Sequence, residues 1–440
     1  MGTVISLDVG GISVSWSKNS RGIDHGHLFQ EGDVSRVKCE TLDYDYYEEN
    51  DPETIKYETA LTKPLGQVIA RLELLGFTLA AIRQEYEYVA NACRDDRINQ
   101  DYDILKRPYD FMSFQEFCDF VAAGDLNELD DKYIEYGSDD QDTKIMGRFT
   151  DEAIKDRIPY YEGPHDNAYS ELTYFGGLVD ILHPYSMMRL LALNPNNQEA
   201  SVVWQYGPLV NNGWAELDEF TPAARRREKF LIATEGSSDV HILQHAINLI
   251  RPEIVDFFTF IDISRRHPFS GSGNLVRFAE GLEKIDVHNQ VLFLLDNDVE
   301  GNSAYQTIAN SNIPLNMRAM VLPTLDAFKN FPTRGPQGAQ NTDINGKAAA
   351  IECYLDLTFK GLPKPEVIWT GYKKKTELYQ GELLEKEKFT KAFLRQTKNT
   401  ILSNGYDLSK LDKLLDKIVE ECCTIAVSER NFEQNKNNLW

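Results

Sequence analysis

The sequence predicts an α/β chain in three parts. These are an α+β N-terminal domain over residues 1–220, a parallel-sheet α/β domain over 228–365 and a helical C-terminal region over 366–440. Three observations carry this reading. From Phe230 onward, strand-like apolar runs alternate with helical stretches of ten or so residues, the pattern of a parallel sheet. One of those runs, Val291-Leu-Phe-Leu-Leu295, is apolar throughout, as a strand buried on both faces must be. The charge also divides: residues 1–220 hold 41 Asp and Glu against 18 Lys and Arg, whereas 221–440 hold 28 of each, so the whole net charge of −23 falls in the first part.

At 440 residues the chain has room for two or three domains, each with a core of its own. In the first part, residues 4–16 alternate around Gly10-Gly11 and predict a hairpin. A helix is expected from Pro64, with Leu65, Val68, Ile69 and Leu72 at helical spacing and a break at Gly76. Ser113-Phe-Gln-Glu116 is a capping box in front of another helix. Segments 40–58 and 94–110, rich in Asp, Glu, Tyr and Asn, read as loops, and 201–217 reads as a second hairpin turning at Asn211-Asn-Gly213. Thr221–Lys229 is a natural linker.

In the second part, strands are expected at 230–234, 254–263, 291–296 and 317–322, with helices near 238–250, 274–284 and 300–310. Residues 323–346 read as a long functional or disordered loop, because no ordinary connection is that long. Lys347–Leu357 reads as a helix carrying Glu352. The segment 380–427 reads as amphipathic helix, with Leu408, Leu411, Leu415, Ile418, Val419 and Cys422 on one packed face.

Composition narrows the setting. No run approaches 18 apolar residues, and the start lacks the basic and apolar regions of a secretion signal; Gly2 and Ser6 fit a myristoylation motif only by chance in a prokaryotic chain. The six cysteines (39, 93, 118, 353, 422, 423) contain no CxxC pair and read as reduced core residues. The expectation is a cytoplasmic protein with no membrane partner. An acidic surface repels nucleic acid, since backbone affinity comes from Lys and Arg. The neutral second part permits such contact, and it carries the basic runs Arg225-Arg-Arg-Glu-Lys229 and Lys373-Lys-Lys375.

The chemistry concentrates at two strand ends. Asp296 and Asp298, two apart beyond a buried strand, suit a hard divalent cation with oxygen ligands. Phe230-Leu-Ile-Ala-Thr-Glu235-Gly236-Ser-Ser-Asp239 is a second strand ending in an acid and a glycine. If the following helix has begun by Glu235, the four-residue spacing places Glu235 and Asp239 on one face. This strand–Glu-Gly followed by strand–Asp296-Asn-Asp298-Val-Glu300-Gly301, with a βα unit between, resembles the Toprim domain, a Rossmann-like parallel-sheet module, over about 228–360. The start of the chain, with Gly2, Leu7, Lys18 and Leu28-Phe29, resembles the N-terminal domain of HEPN/Toprim-associated bacterial proteins. The Arg and His about five apart on one helix that a HEPN nuclease uses are missing.

The Toprim resemblance implies a Mg²⁺- or Mn²⁺-dependent nuclease cutting DNA or RNA. It assigns Asp296, Asp298 and Glu235 to the metal, and Glu235 also to general acid/base work. Asp239 and Glu352 match further acids of the overcoming-lysogenization-defect class, which would favour a second metal. A later lysine completes that pattern, with Lys373, Lys374, Lys375, Lys386 and Lys388 as candidates. Lys373, Lys374, Lys375 and Arg334 are the expected nucleic-acid contacts. By resemblance, such chains are effectors of bacterial antiphage defence. The acidic first part is expected to shield the site, or to dock a regulatory protein partner, and self-association stays open.

Several alternatives are weighed by particular residues. Without a cysteine cluster or a Walker A motif the chain lacks the marks of a primase or of an ATPase-fused nuclease. A dehalogenase-like phosphatase wants Thr or Val where Glu300 stands, and carries its DxD on the first strand. A catalytically silent scaffold that binds nucleic acid or a protein is the main alternative. Gly271-Ser-Gly273-Asn274 lacks the spacing of a phosphate loop and reads as a βα turn near the site. His241 and His245 lack the accompanying pattern of a zinc site.

Overall fold

The computed structural model describes residues 2–38, 58–99, 110–135, 139–159, 168–261, 271–285, 287–374 and 376–437. The chain forms two units, Met1–Ala224 and Arg225–Trp440.

In the first unit the predicted hairpin is present. β1 (Val4–Val9) and β2 (Ile12–Lys18) pair antiparallel, and Gly10 and Gly11 take φ of 54° and 89°, which a two-residue turn of this kind requires. With β3 (Val34–Val37), β4 (Glu58–Pro64) and β5 (Ser201–Gln205) they make an antiparallel sheet in the order β2-β1-β5-β4-β3. The helix Leu65–Leu74 starts after Pro64. The chain turns at Gly76 (φ 88°) and resumes as the helix Leu79–Asn99. Residues 94–99 are therefore helical rather than loop; 39–57 and 100–109, the rest of the two expected loops save its edges, lie outside the described residues. Ser113 and Glu116 exchange their capping bonds (2.7 and 3.3 Å) and open the helix Phe114–Ala122 as expected.

The second expected hairpin does not form. β5 ends at Gln205 and Gly207–Asn211 is a short helix. Pro208 explains the difference: it has no N–H to give a strand ladder, yet suits the first turn of a helix. Leu7, Leu28 and Phe29 are fully buried in the core of this unit with Trp204, so the N-terminal motif reports a packed fold rather than a site. His25 is buried beside them. Its Nδ1 and the Nε2 of His27 each lie 2.8 Å from the Tyr185 hydroxyl, and burial, followed by the charge of His27, depresses its pKa to about 3, leaving it neutral.

In the second unit β6 (Phe230–Thr234), β7 (Phe258–Phe260), β8 (Gln290–Leu295) and β10 (Met317–Val321) form a parallel sheet in the order β10-β8-β6-β7. The two-residue strand β9 (Asn297–Asp298) intervenes after β8. Helices Ser237–Ile250, Ser272–Glu283 and Val299–Ala309 connect the strands as the alternation predicts. Every residue of β8 is buried, which accounts for its unbroken apolar run.

Four expectations change here. The strand expected at 254–263 is short, because Pro252–Phe257 is a 3-10 turn and β7 spans only Phe258–Phe260; 262 and 263 lie outside the described residues. Residues 323–346 are not a structureless loop, because β11 (Phe331–Gly335) and β12 (Gly338–Thr342) form a hairpin that turns through Pro336-Gln337 and enters β12 at Gly338 (φ 92°). Glu352 is not on a regular helix: β13 (Ala348–Ala349) leads into one 3-10 turn, Ile351–Tyr354. The C-terminal region is not helical from 366. β14 (Val367–Lys373) and β15 (Leu378–Leu383) first complete a second sheet in the order β12-β11-β14-β15, and helices begin at Lys386. The strand signal was present in Val367-Ile-Trp-Thr and Leu378-Tyr, whose β-branched and aromatic residues favour a pleated surface. The last helix, Ser409–Asn437, buries Leu411, Leu415, Ile418 and Cys422 as its pattern predicts, whereas Val419 is half-buried and Leu408 is half-buried just ahead of the helix. Cys93, Cys118, Cys353, Cys422 and Cys423 are free and buried. Among the described residues no single helix is long and apolar enough to cross a membrane.

Candidate functional site

In the parallel sheet, β6 has β7 on one side and β8 on the other. The connections leaving β6 and β8 therefore diverge at the carboxyl ends of the two strands, the topological position where ligands bind in open α/β sheets. Glu235 directly follows β6 and Asp296 directly follows β8. The Asp296 backbone N–H donates to Glu235 Oε1 at 3.0 Å, tying the two strand ends together. Gly271, at φ 90°, donates its N–H to the Glu235 carbonyl at 2.8 Å, which holds the Gly271–Asn274 turn beside the same edge.

Each acid is fixed by local structure. Asp298 caps the helix Val299–Ala309, accepting from the Gly301 N–H at 2.7 Å. Asp239 lies in the first turn of the helix Ser237–Ile250 and accepts from the Gly236 N–H at 2.9 Å. β13 pairs antiparallel with β9, placing Ala348 opposite Asp298 and Ala349 opposite Asn297. The chain leaving β13 then gives the Ile351 N–H to Asp296 Oδ1 at 3.2 Å and buries Glu352. Ser238 Oγ lies between the groups, 3.2 Å from Asp239 Oδ1 and 3.3 Å from Glu352 Oε1, and its single O–H is shared between these two acceptors. All five predicted acids thus come from separate stretches of sequence into one neighbourhood.

Their charges oppose one another. Burial, then the nearby Asp239, Glu235, Asp298 and Glu352, holds the Asp296 carboxyl well above the usual carboxylate range. Burial, with repulsion from Asp298, Asp239 and Glu300, pushes Glu235 up to about 7, despite the stabilising Asp296 N–H. Burial and then Glu352 push Asp239 up to about 6, and the positive charge of Lys386 opposes that rise. Asp298 is raised by burial and held back by its Gly301 and Gln380 hydrogen bonds. Carboxylates crowded at the carboxyl edge of a parallel sheet are the arrangement expected of a functional site.

The basic residues divide. Lys386, at the start of a helix, brings positive charge to bear on Asp239. Lys373 pairs with Glu300, next to the Asp298 cap. Arg334, on β11, is held by Glu366 at 2.8 Å, and Lys374 is exposed at the end of β14. Lys375 lies outside the described residues. His245 contacts the Gln396 carbonyl and the Phe393 ring, a packing role.

Three positions carry roles that the sequence reading missed. Asn297, the middle residue of the DxD, is buried and accepts from the Gly346 N–H at 2.9 Å, pinning the loop that leads to β13. Gln380 on β15 donates to Asp298 Oδ2 and accepts from the Val299 N–H at 3.0 Å. Ser238 had a signal, since it stands between two candidate acids. Gln380 had none, because it comes from a distant strand.

An all-oxygen donor set of mutually repelling carboxylates fits Mg²⁺ or Mn²⁺, which prefer such ligands and would neutralise them. As the side chains stand, no three His, Cys, Asp or Glu groups among the described residues converge into a ready-made metal cage. A family model described as HEPN/Toprim N-terminal domain 1 matches residues 1–228. No curated protein and no solved structure matches the chain.

Proposed function

The chain belongs to the HEPN/Toprim N-terminal domain 1 family, and from that premise we propose that its second unit is a metal-dependent, Toprim-type nuclease that cuts phosphodiester bonds in DNA or RNA. The observation that carries this reading is the meeting of Glu235 with Asp296 and Asp298 at the β6–β8 divergence, in the order strand–Glu-Gly then strand–DxDxEG. Asp296, Asp298 and Glu235 would hold Mg²⁺ or Mn²⁺, which supplies charge neutralisation at the phosphoryl oxygens.

The chain's own groups supply the rest. Glu235 sits where it can move a proton to or from the reacting oxygen. Asp239 and Glu352, joined through Ser238, form a second acidic pair able to orient water or share a second cation. Lys386 offers a positive charge to the phosphate on the Asp239 side. Lys373, Lys374 and Arg334 would meet the nucleic-acid backbone, the first and last only by exchanging their Glu300 and Glu366 partners. The acidic N-terminal unit repels nucleic acid and instead suits a basic regulatory partner. A role in antiphage defence and a cytoplasmic setting accord with this activity.

A catalytically silent scaffold is the second reading, favoured by the lack of three converged side chains among the described residues. Cleavage of plasmid DNA, single-stranded DNA and tRNA with Mg²⁺ or Mn²⁺ separates the two. The nuclease reading predicts cation-dependent cutting that falls on the order of 10²- to 10³-fold in Glu235→Gln. Cutting that needs no cation, or that persists in Glu235→Gln, would refute it.

A further inference from the structure

The second sheet of the C-terminal unit carries a feature that the carboxylate site does not use. Trp369 on β14 stands in register with Gly381 on β15 and one step beyond the Arg334–Ile368 pair of β11 and β14, hence beside Gly335. A Cβ at Gly335 would lie 2.6 Å from the indole and one at Gly381 2.8 Å from it. The two glycines therefore let the indole lie down against the sheet. Tyr372 and Tyr379 are direct cross-strand partners, with ring centroids 5.1 Å apart, and Tyr379 is 6.3 Å from Trp369. Both tyrosines are exposed, at 50% and 43%. Three rings thus form a row on one face of β14–β15.

A cleft of about 230 Å³ opens beside this row, lined by Trp369, Tyr379, Gln340, Thr342 and Lys347, with Glu377 at its rim. Lys347 links it to the acids. It lines the cleft and its Nζ donates to the Asp343 carbonyl at 3.2 Å, its carbonyl accepts from the Gly381 N–H at 3.2 Å, and its backbone bridges to Asp298. Along β15, Tyr379 and Gly381 face the aromatic row while the intervening Gln380 reaches Asp298, as the two-residue alternation of a strand dictates. One strand therefore separates the aromatic row from the carboxylates.

We propose that Trp369, Tyr372 and Tyr379 are a stacking platform for the unpaired bases of a single-stranded nucleic acid. Lys347 and Lys374 receive its backbone, and the strand continues over the Lys347 corner toward the carboxylates. Bases stack on exposed rings only when their own faces are free, so the platform selects single strands over duplex. Lysines beside the rings match a polyanion. This deepens the nuclease reading and rests on it for the course of the strand toward Asp298.

The test is fluorescence anisotropy of the full chain, in chelator, with labelled oligo-dT and oligo-U of about 20 nucleotides and with a duplex of equal length. The platform predicts tighter binding of one or both single strands than of duplex, about tenfold or more loss in Tyr372→Ala/Tyr379→Ala and in Trp369→Ala, and retention in Trp369→Phe. The two tyrosines are exposed, so their variant should keep the wild-type thermal midpoint. Equal binding by wild type and both Ala variants, or equal affinity for duplex, would overturn the platform. So would conversion of a dimer to a monomer by the tyrosine variant without loss of oligonucleotide binding, because the face would then be a self-interface. Failure is separable from that of the nuclease reading: aromatic-dependent binding without cation-dependent cleavage refutes only the latter, and Glu235-dependent cleavage with unchanged binding in the variants refutes only the platform.

Discussion

In chelator at pH 8, Asp296→Asn raises the thermal midpoint of the chain, although the same substitution removes cation-dependent cleavage. Burial and four neighbouring acids oppose ionisation of Asp296, and the same crowding lifts Glu235 to about 7 and Asp239 to about 6. A carboxyl whose folded pKa is raised contributes stability that is full below its unfolded pKa. That stability is lost as pH climbs through the folded pKa. For Glu235 the loss runs from its ordinary 4.5 to about 7. At about 1.4 kcal/mol per pKa unit, discounted for partial exposure, it amounts to roughly 1–3 kcal/mol. Asparagine keeps an oxygen for the Ile351 N–H and removes the charge at the centre of the repulsion. The stabilisation should therefore be clear at pH 8 and small at pH 4. Mn²⁺ should raise the midpoint of the wild type by mass action and leave the variant unmoved. Differential scanning fluorimetry across this pH range checks both arms; a lower midpoint for the variant at pH 8 would contradict the crowding.

Gly301→Ala should be as damaging in the opposite sense, lowering stability and activity together. A Cβ at Gly301 would lie 2.1 Å from the Asp296 carbonyl oxygen and 3.0 Å from the Asp296 nitrogen. No rotamer relieves a clash with backbone, so either the first turn of Val299–Ala309 or the Asp296 turn has to move. Both carry site acids: Asp298 caps that turn through the Gly301 N–H, and the Asp296 N–H holds Glu235. Overpacking costs about 1–3 kcal/mol where side chains yield, and here the obstacle is main chain, so the loss should reach the top of that range or exceed it. Chemical denaturation measures it, and the cleavage rate should fall with it. A midpoint within error of the wild type would show that the turn is looser than its contacts imply.

These residues also show how far a sequence can be read. The βα alternation and the acids at two strand ends were legible because buried parallel strands need unbroken apolar runs, and because a strand end is where a short motif meets its ligand. The meeting of Glu235 and Asp296 followed from the resemblance of order and spacing. Their hydrogen bond and shared repulsion did not, since strand neighbours are set by long-range pairing. Glu352 was found as an acid but misplaced on a regular helix. Its local pattern is helical, yet the pairing of Ala348–Ala349 with Asn297–Asp298 overrides it. Gln380 and the β12-β11-β14-β15 sheet were missed for the same reason. A polar side chain on a distant edge strand carries no local sign of the aspartate it supports.

The central claim, that these crowded carboxylates form a divalent-cation site, is tested most directly by counting bound Mn²⁺ per chain by electron paramagnetic resonance, for wild type and Asp296→Asn. The wild type should bind at least one Mn²⁺ per chain that the variant does not. Equal binding by both, or no binding by the wild type at millimolar Mn²⁺, would contradict it.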